Sequence, residues 1–204
     1  MKKGLTGLLP VACLTLLLAA GCKGSQNGGQ TGENDTTVVS VPDTALYGHL
    51  GEGTGMSCLE LITDSQDTLV LNKTDEQTGE DGLILGEIAN YTDRFSVVTD
   101  RDTLNIRIAL NIDMLTERLW QSTADSRRGF CLKSDGAVET PAGQTDAYRR
   151  WTLCNCQLLL HDGDADAAGR TDRCDTMDIL SLTRDSLTLR NIHSAQPESF
   201  QRIR

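Results

Sequence analysis

From residue 43 onward the apolar residues recur with a period of two, and few folds accommodate that pattern. Ile106, Ile108 and Leu110 alternate with Asn105, Arg107 and Ala109, as on a strand with one buried face. No stretch carries a helical apolar stripe of ten or more residues. Six β-rich runs occupy the first half, at 45–50, 56–63, 67–72, 82–89, 94–99 and 103–110. Eight more follow, at 118–122, 128–134, 137–140, 147–154, 156–161, 175–182, 186–191 and 198–204. Turn chemistry separates them, with hairpin signals at 134–136 and 183–185. Between the two halves, Asn111 is placed to cap a helical turn at 112–117, which reads as a connector. Many short strands predict a barrel or a sandwich, and closure removes exposed strand edges. The expectation is therefore an all-β chain of two small antiparallel β-barrels, over 43–113 and 114–204.

The first residues follow different rules. Lys2 and Lys3 precede an uncharged run from Gly4 to Ala20 that ends in small residues before Cys22. This is the layout of a secretory signal, too short and wrongly flanked for a comfortable membrane span. Ala19, Ala20, Gly21 and Cys22 resemble the lipobox of bacterial lipoproteins. The resemblance implies cleavage after residue 21 and a diacylglycerol on the Cys22 sulfur; without it, the segment is an ordinary signal peptide. Several acyl chains on one cysteine hold a protein stably at a bilayer. Lys23 stands where an Asp would retain such a lipoprotein at the inner membrane, and the acidic surface-export cluster of Bacteroidetes lipoproteins is absent. By that resemblance the chain belongs on the periplasmic face of the outer membrane. Residues 22–42 are rich in Gly, Ser, Asn, Gln and Thr and read as a tether.

Charge excludes one class of partner. The chain has 29 acidic and 19 basic residues, and loss of the signal moves its net charge from -10 to -12. Nucleic-acid binding needs clustered cations, so no nucleic-acid partner is expected.

In the second half, Leu119 and Trp120, Gly129 and Phe130, residues 134–136, Tyr148 with Trp151, residues 158–160, 179–182 and 185–189, and finally Phe200 to Arg202 follow one another in a familiar order. That order resembles the small lipocalin-like domains of Bacteroidetes lipoproteins. The resemblance implies a C-terminal barrel of about eight short strands. Lipocalins begin with Gly-x-Trp, and Arg118 takes the Gly place here. By the same resemblance Trp120 is a barrel-closing residue, covered by Arg202 or Arg204 through a cation–π contact. Residues 43–113 resemble the OB-like barrel that precedes such domains.

Several constellations invite chemistry. Cys154 and Cys156, two apart, would face one side of a strand and with His161 and Cys174 supply zinc-type ligands. Their spacing is not that of common zinc sites, and buried thiols or disulfides are the expected alternative, with Cys131 to Cys154 or Cys156 the best pairing. Cys58 completes an odd set of five beyond Cys22. Asp162, Asp164 and Asp166 alternate, but Ala167 and Arg173 hold the places where a calcium loop needs Gly and Glu. Gly48, Gly51, Gly53 and Gly55 precede a strand rather than a helix, so a hairpin loop with positive φ is expected in place of a phosphate cradle. Tyr148 and Trp151 are three apart, predicting opposite faces of one strand. Asp-Thr-small segments at Thr36 and Thr44 resemble the O-glycosylation sequon of Bacteroidetes periplasmic proteins.

No nucleophile elbow, HExxH or Ser-x-x-Lys occurs. The reading is of a non-enzyme, with no catalytic residues, cofactor or metal. Its expected partners are the bilayer through Cys22 and a small apolar ligand. An envelope protein partner, an architectural role or inhibition of a hydrolase through the loop at 162–174 is the alternative.

Overall fold

The computed structural model describes residues 41–100, 103–141, 144, 148–163, 173–194 and 196–203. The signal segment, Cys22, Thr36 and most of the tether lie outside the described residues, as do Arg204 and residues 164–172. The body from Ser40 to Arg204 is one compact unit.

Its first six strands are β1 Leu46–Leu50, β2 Cys58–Thr63, β3 Thr68–Asn72, β4 Leu83–Leu85, β5 Arg94–Thr99 and β6 Ile106–Asn111. They form one sheet in the order β3-β2-β1-β5-β6-β4. Five of the strands pair antiparallel with their neighbours. The short β4 departs from the expected pattern by running parallel to β6. Asn72 meets Asn105 in a parallel bridge and donates its N–H to Leu104 O at 2.9 Å, which brings the β3 edge back against the start of β6. Leu59, Leu61, Leu71, Phe95, Val97 and Ala109 fill the inner face without exposure.

A four-residue helix, α1 Ile112–Leu115, follows directly. The Asn111 side chain accepts the Met114 N–H at 3.0 Å, as its capping position predicts. The remaining strands are β7 Leu119–Ser122, β8 Gly129–Leu132, β9 Val138–Glu139, β10 Arg150–Cys154, β11 Gln157–His161, β12 Cys174–Leu182, β13 Ser186–Asn191 and β14 Glu198–Ile203. Each pairs antiparallel with the next along the chain from β10 to β14, and β14 returns to β7. The open seam lies between β9 and β10. An Ala137–Arg150 bridge closes it, with the Val138 N–H donating to Arg149 O at 2.9 Å and the Trp151 N–H to Gly136 O at 2.8 Å. All eight strands thus form an up-and-down barrel.

The two sheets share packing. Leu85, Val98, Leu110, Ile112, Met114 and Leu115 belong to the same buried cluster as Trp120, Leu158 and Leu182. The N-terminal sheet therefore uses one face for its own core and the other to plug one end of the barrel. At that junction the Gly86 N–H donates to Leu182 O at 3.0 Å, and Arg184 pairs with Glu87 at 2.9 Å.

Cys58, Cys131, Cys154, Cys156 and Cys174 are all free thiols, one of the two expected states. Three sequence expectations need correction. Cys154 and Cys156 do not share a strand face, because Asn155 and Cys156 have φ of 51° and 62° and form the tight turn between β10 and β11. That turn carries the Cys156 thiol into the junction, 3.3 Å from Ser96 O. The glycine cluster at 48–55 has no positive φ; Gly79, Gly86 and Gly136 are the described glycines that do. Close approach explains Gly48 instead, since a Cβ there would collide with the Ile62 carbonyl. Tyr148 and Trp151 do not face opposite ways either. β10 begins only at Arg150, so Tyr148 is outside the strand alternation, and it packs against the same cluster that buries Trp151.

Candidate functional site: the open mouth of the barrel

The two ends of the barrel differ. At the plugged end, Trp120, Leu132, Leu158 and Leu187 are fully buried. The Trp120 indole N–H donates to Leu115 O at 2.9 Å, tying β7 to α1. Arg202 stands opposite Trp120 in the β14–β7 register, so both side chains project from the same face. Arg118 is close by, its guanidinium donating to Arg184 O at 3.2 Å. Burial lowers the Arg118 pKa, and the Arg202 charge lowers it further, with Asp93 opposing.

The other end is open and encloses a cavity of about 650 Å³. Phe130, Leu160, Met177, Leu189 and Phe200 form its floor, contributed by five different strands. Phe130 and Phe200 meet edge to face with centroids 5.1 Å apart, the favoured geometry for an aromatic pair. The barrel interior is thus filled at one end and hollow at the other.

Residues 117–203 match the model of a lipocalin-like family. The match covers every strand of the barrel, so the C-terminal barrel is a lipocalin-like domain. No curated protein and no solved structure matches the chain.

The rim of this lipocalin-like barrel is ionic. Arg128 pairs with Glu198 at 2.9 Å, and the Ser122 hydroxyl donates to the same carboxylate at 3.0 Å. Arg173 pairs with Asp175 at 3.0 Å, and the Tyr148 hydroxyl donates to Asp175 at 2.6 Å. Burial raises the Tyr148 pKa, and its hydrogen bond to Asp175 raises it further, so the phenol stays protonated. Arg127 pairs with Asp125 at 3.2 Å. Asp162 accepts the Arg173 N–H at 3.0 Å, tying the end of β11 to the start of β12.

Of the sequence-derived candidates, Tyr148 and Asp162 line this mouth, while the Cys and His set is not brought together as a ligand group. His161 Nε2 lies 3.3 Å from Thr152 Oγ1 and 4.0 Å from Cys174 Sγ, while Cys156 is in the junction. Among the described residues no group of three or more His, Cys, Asp or Glu side chains is placed to hold a metal. Thr44 is exposed, with both its N–H and its hydroxyl donating to Asn155 Oδ1 at 2.8 Å. Asn155 in turn donates its N–H to Asp43 at 2.9 Å and its amide to Pro42 O at 3.0 Å. This clamp fixes the start of the body to the β10–β11 turn, at the plugged end.

Arg127, Arg128 and Glu198 were not singled out from sequence, and Arg173 was noted only as a residue unsuited to a calcium loop. Their only local signal is the adjacent Arg127 and Arg128 in an acidic chain. No helix among the described residues is long and apolar enough to cross a membrane.

Proposed function

We propose that this protein is a lipid-anchored envelope lipoprotein that binds a small apolar ligand in the mouth of its lipocalin-like barrel. The observation that carries the ligand reading is the cavity of about 650 Å³ over an apolar floor. Small-molecule pockets range over about 300–1,000 Å³ and combine apolar walls with a few placed polar groups. In this reading Trp120 and Arg202 close the far end of the barrel, acylated Cys22 holds the chain at the periplasmic face of the outer membrane, and the role is binding rather than catalysis. The N-terminal sheet is read as OB-like, supported by the β1-β2-β3 meander and the parallel bridge from β3 to β6.

Mass spectrometry of the native protein tests both halves of the proposal. A reproducible apolar compound released on denaturation supports the ligand. A diacylglycerol on the peptide that begins at Cys22 supports the anchor. An intact fold that carries no ligand and takes up no apolar probe would favour the alternative, a partner-binding or architectural role. The observation favouring that second reading is the continuous core shared by the N-terminal sheet and the barrel.

A further inference from the structure

The layering of charge around the mouth bears on what kind of ligand enters. In each rim pair the carboxylate is set deeper than its partner. Side-chain exposure is 26% for Glu198 against 56% for Arg128, and 13% for Asp175 against 69% for Arg173. The acids are tied into the wall by neutral hydroxyls, Glu198 by Ser122 and Asp175 by Tyr148. The guanidinium groups lie outermost.

A guanidinium carries five N–H donors in a rigid fork. Arg128 engages Glu198 through two of its nitrogens and Arg173 engages Asp175 through one. Donors remain on both groups beyond those pairings. The acids are less able to take a new partner, because each lies beneath an arginine and already accepts a hydroxyl. The mouth therefore offers donors at its surface and an apolar floor below.

We infer that the barrel selects amphiphiles made of an apolar body and a carboxylate head, the body on Phe130, Leu160 and Met177 and the head on Arg128 and Arg173. The inference rests on the ligand-binding reading above and narrows it. Among the described residues at the mouth the carboxylates of Asp125, Asp162, Asp175 and Glu198 offset the guanidiniums of Arg127, Arg128 and Arg173, so selectivity comes from short charge-assisted hydrogen bonds rather than from long-range attraction. A preference of about tenfold is the scale of one such bond over a neutral one.

The test is displacement of the neutral fluorophore N-phenyl-1-naphthylamine from the purified protein by dodecanoate, dodecanol and dodecylammonium. Dodecanoate is expected to displace the probe at about one tenth the concentration of the other two. The Arg128→Gln, Arg173→Gln double variant is expected to lose the preference, with dodecanoate displacing the probe no better than dodecanol. Equal potency of dodecanoate and dodecanol, a preference for the ammonium, or a preference that survives the double variant overturns the inference and leaves apolar binding intact. Failure of the probe and of all three competitors to bind overturns both readings. If the double variant does not fold, the three-way comparison on the native protein decides.

Discussion

The Trp120 indole donates to the Leu115 carbonyl at 2.9 Å, and this one bond joins the last turn before the barrel to the barrel's first strand. Both groups are fully buried, so neither has water as a substitute. Trp120→Phe keeps most of the ring and strands a carbonyl, at an expected cost of about 1–3 kcal/mol. Trp120→Ala adds a cavity and should cost about 3–5 kcal/mol. Urea denaturation of the two variants checks the order. A Phe variant as stable as the native protein would show that the bond contributes nothing.

Asn155 makes two separable contributions. It adopts φ of 51°, which Gly and Asn tolerate best, and its side chain bonds Thr44 and Pro42. Asn155→Gly keeps the backbone and loses the side chain, which should cost about 1 kcal/mol. Asn155→Ala loses both, and should cost about 1 kcal/mol more. Thermal or urea unfolding of the pair measures the difference; equal effects would mean the turn does not require a left-handed residue.

Acid should weaken the fold through Glu117. Its hydrogen bonds from Lys133 and from the Ser134 N–H hold its pKa down to about 2, against an ordinary value of 4.5. A depressed carboxyl stabilises the folded state above its unfolded pKa, and that contribution disappears as pH falls through the folded value. Asp178, lowered chiefly by Arg190 and Gln157, acts in the same direction. Glu117→Gln should therefore be less stable than the native protein above pH 4.5, with the gap closing toward pH 2. Stability measured across that range checks it, and a constant gap would remove Glu117 from the account.

The thiols should sort by environment. Burial pushes the Cys156 pKa up to about 11, with hydrogen bonds at Ser96 and Val98 offsetting part of that. At pH 8 about one molecule in a thousand then carries the thiolate. Iodoacetamide should spare Cys156 in the folded protein while reaching exposed Cys174. In denaturant without reductant, all five body cysteines should label. A shortfall of two labels by mass spectrometry would reveal a disulfide.

How much of this was legible beforehand differs from element to element. The alternation in Ile106–Asn111 marked β6, and Asn111 followed by an apolar run marked the capped turn, because both signals are local. The Cys154 to Cys156 segment misled for an instructive reason. A strand and a tight turn can hold the same residues two apart, and only the positive φ at Asn155 and Cys156 separates them. Tyr148 misled similarly, since period-two reasoning applies only inside a strand, and the strand starts two residues later. The ionic rim gave almost no signal. Charged residues are frequent everywhere in this chain, and which of them meet depends on pairings such as Arg128 with Glu198, seventy positions apart.

By itself, then, the amino-acid order determined the local matters: where strands run, where turns interrupt them, and that the second half builds an eight-stranded barrel. Steric and hydrogen-bonding preferences act over a few residues, so they can be read from a few residues. Tertiary structure alone decided that the N-terminal sheet plugs one end of that barrel, that Cys156 is sealed in the junction, and that arginines stand over their acids at the open mouth. Those outcomes depend on surfaces assembled from distant segments. No window of sequence contains them until the seam at Ala137 and Arg150 closes and the two ends of the barrel become different places.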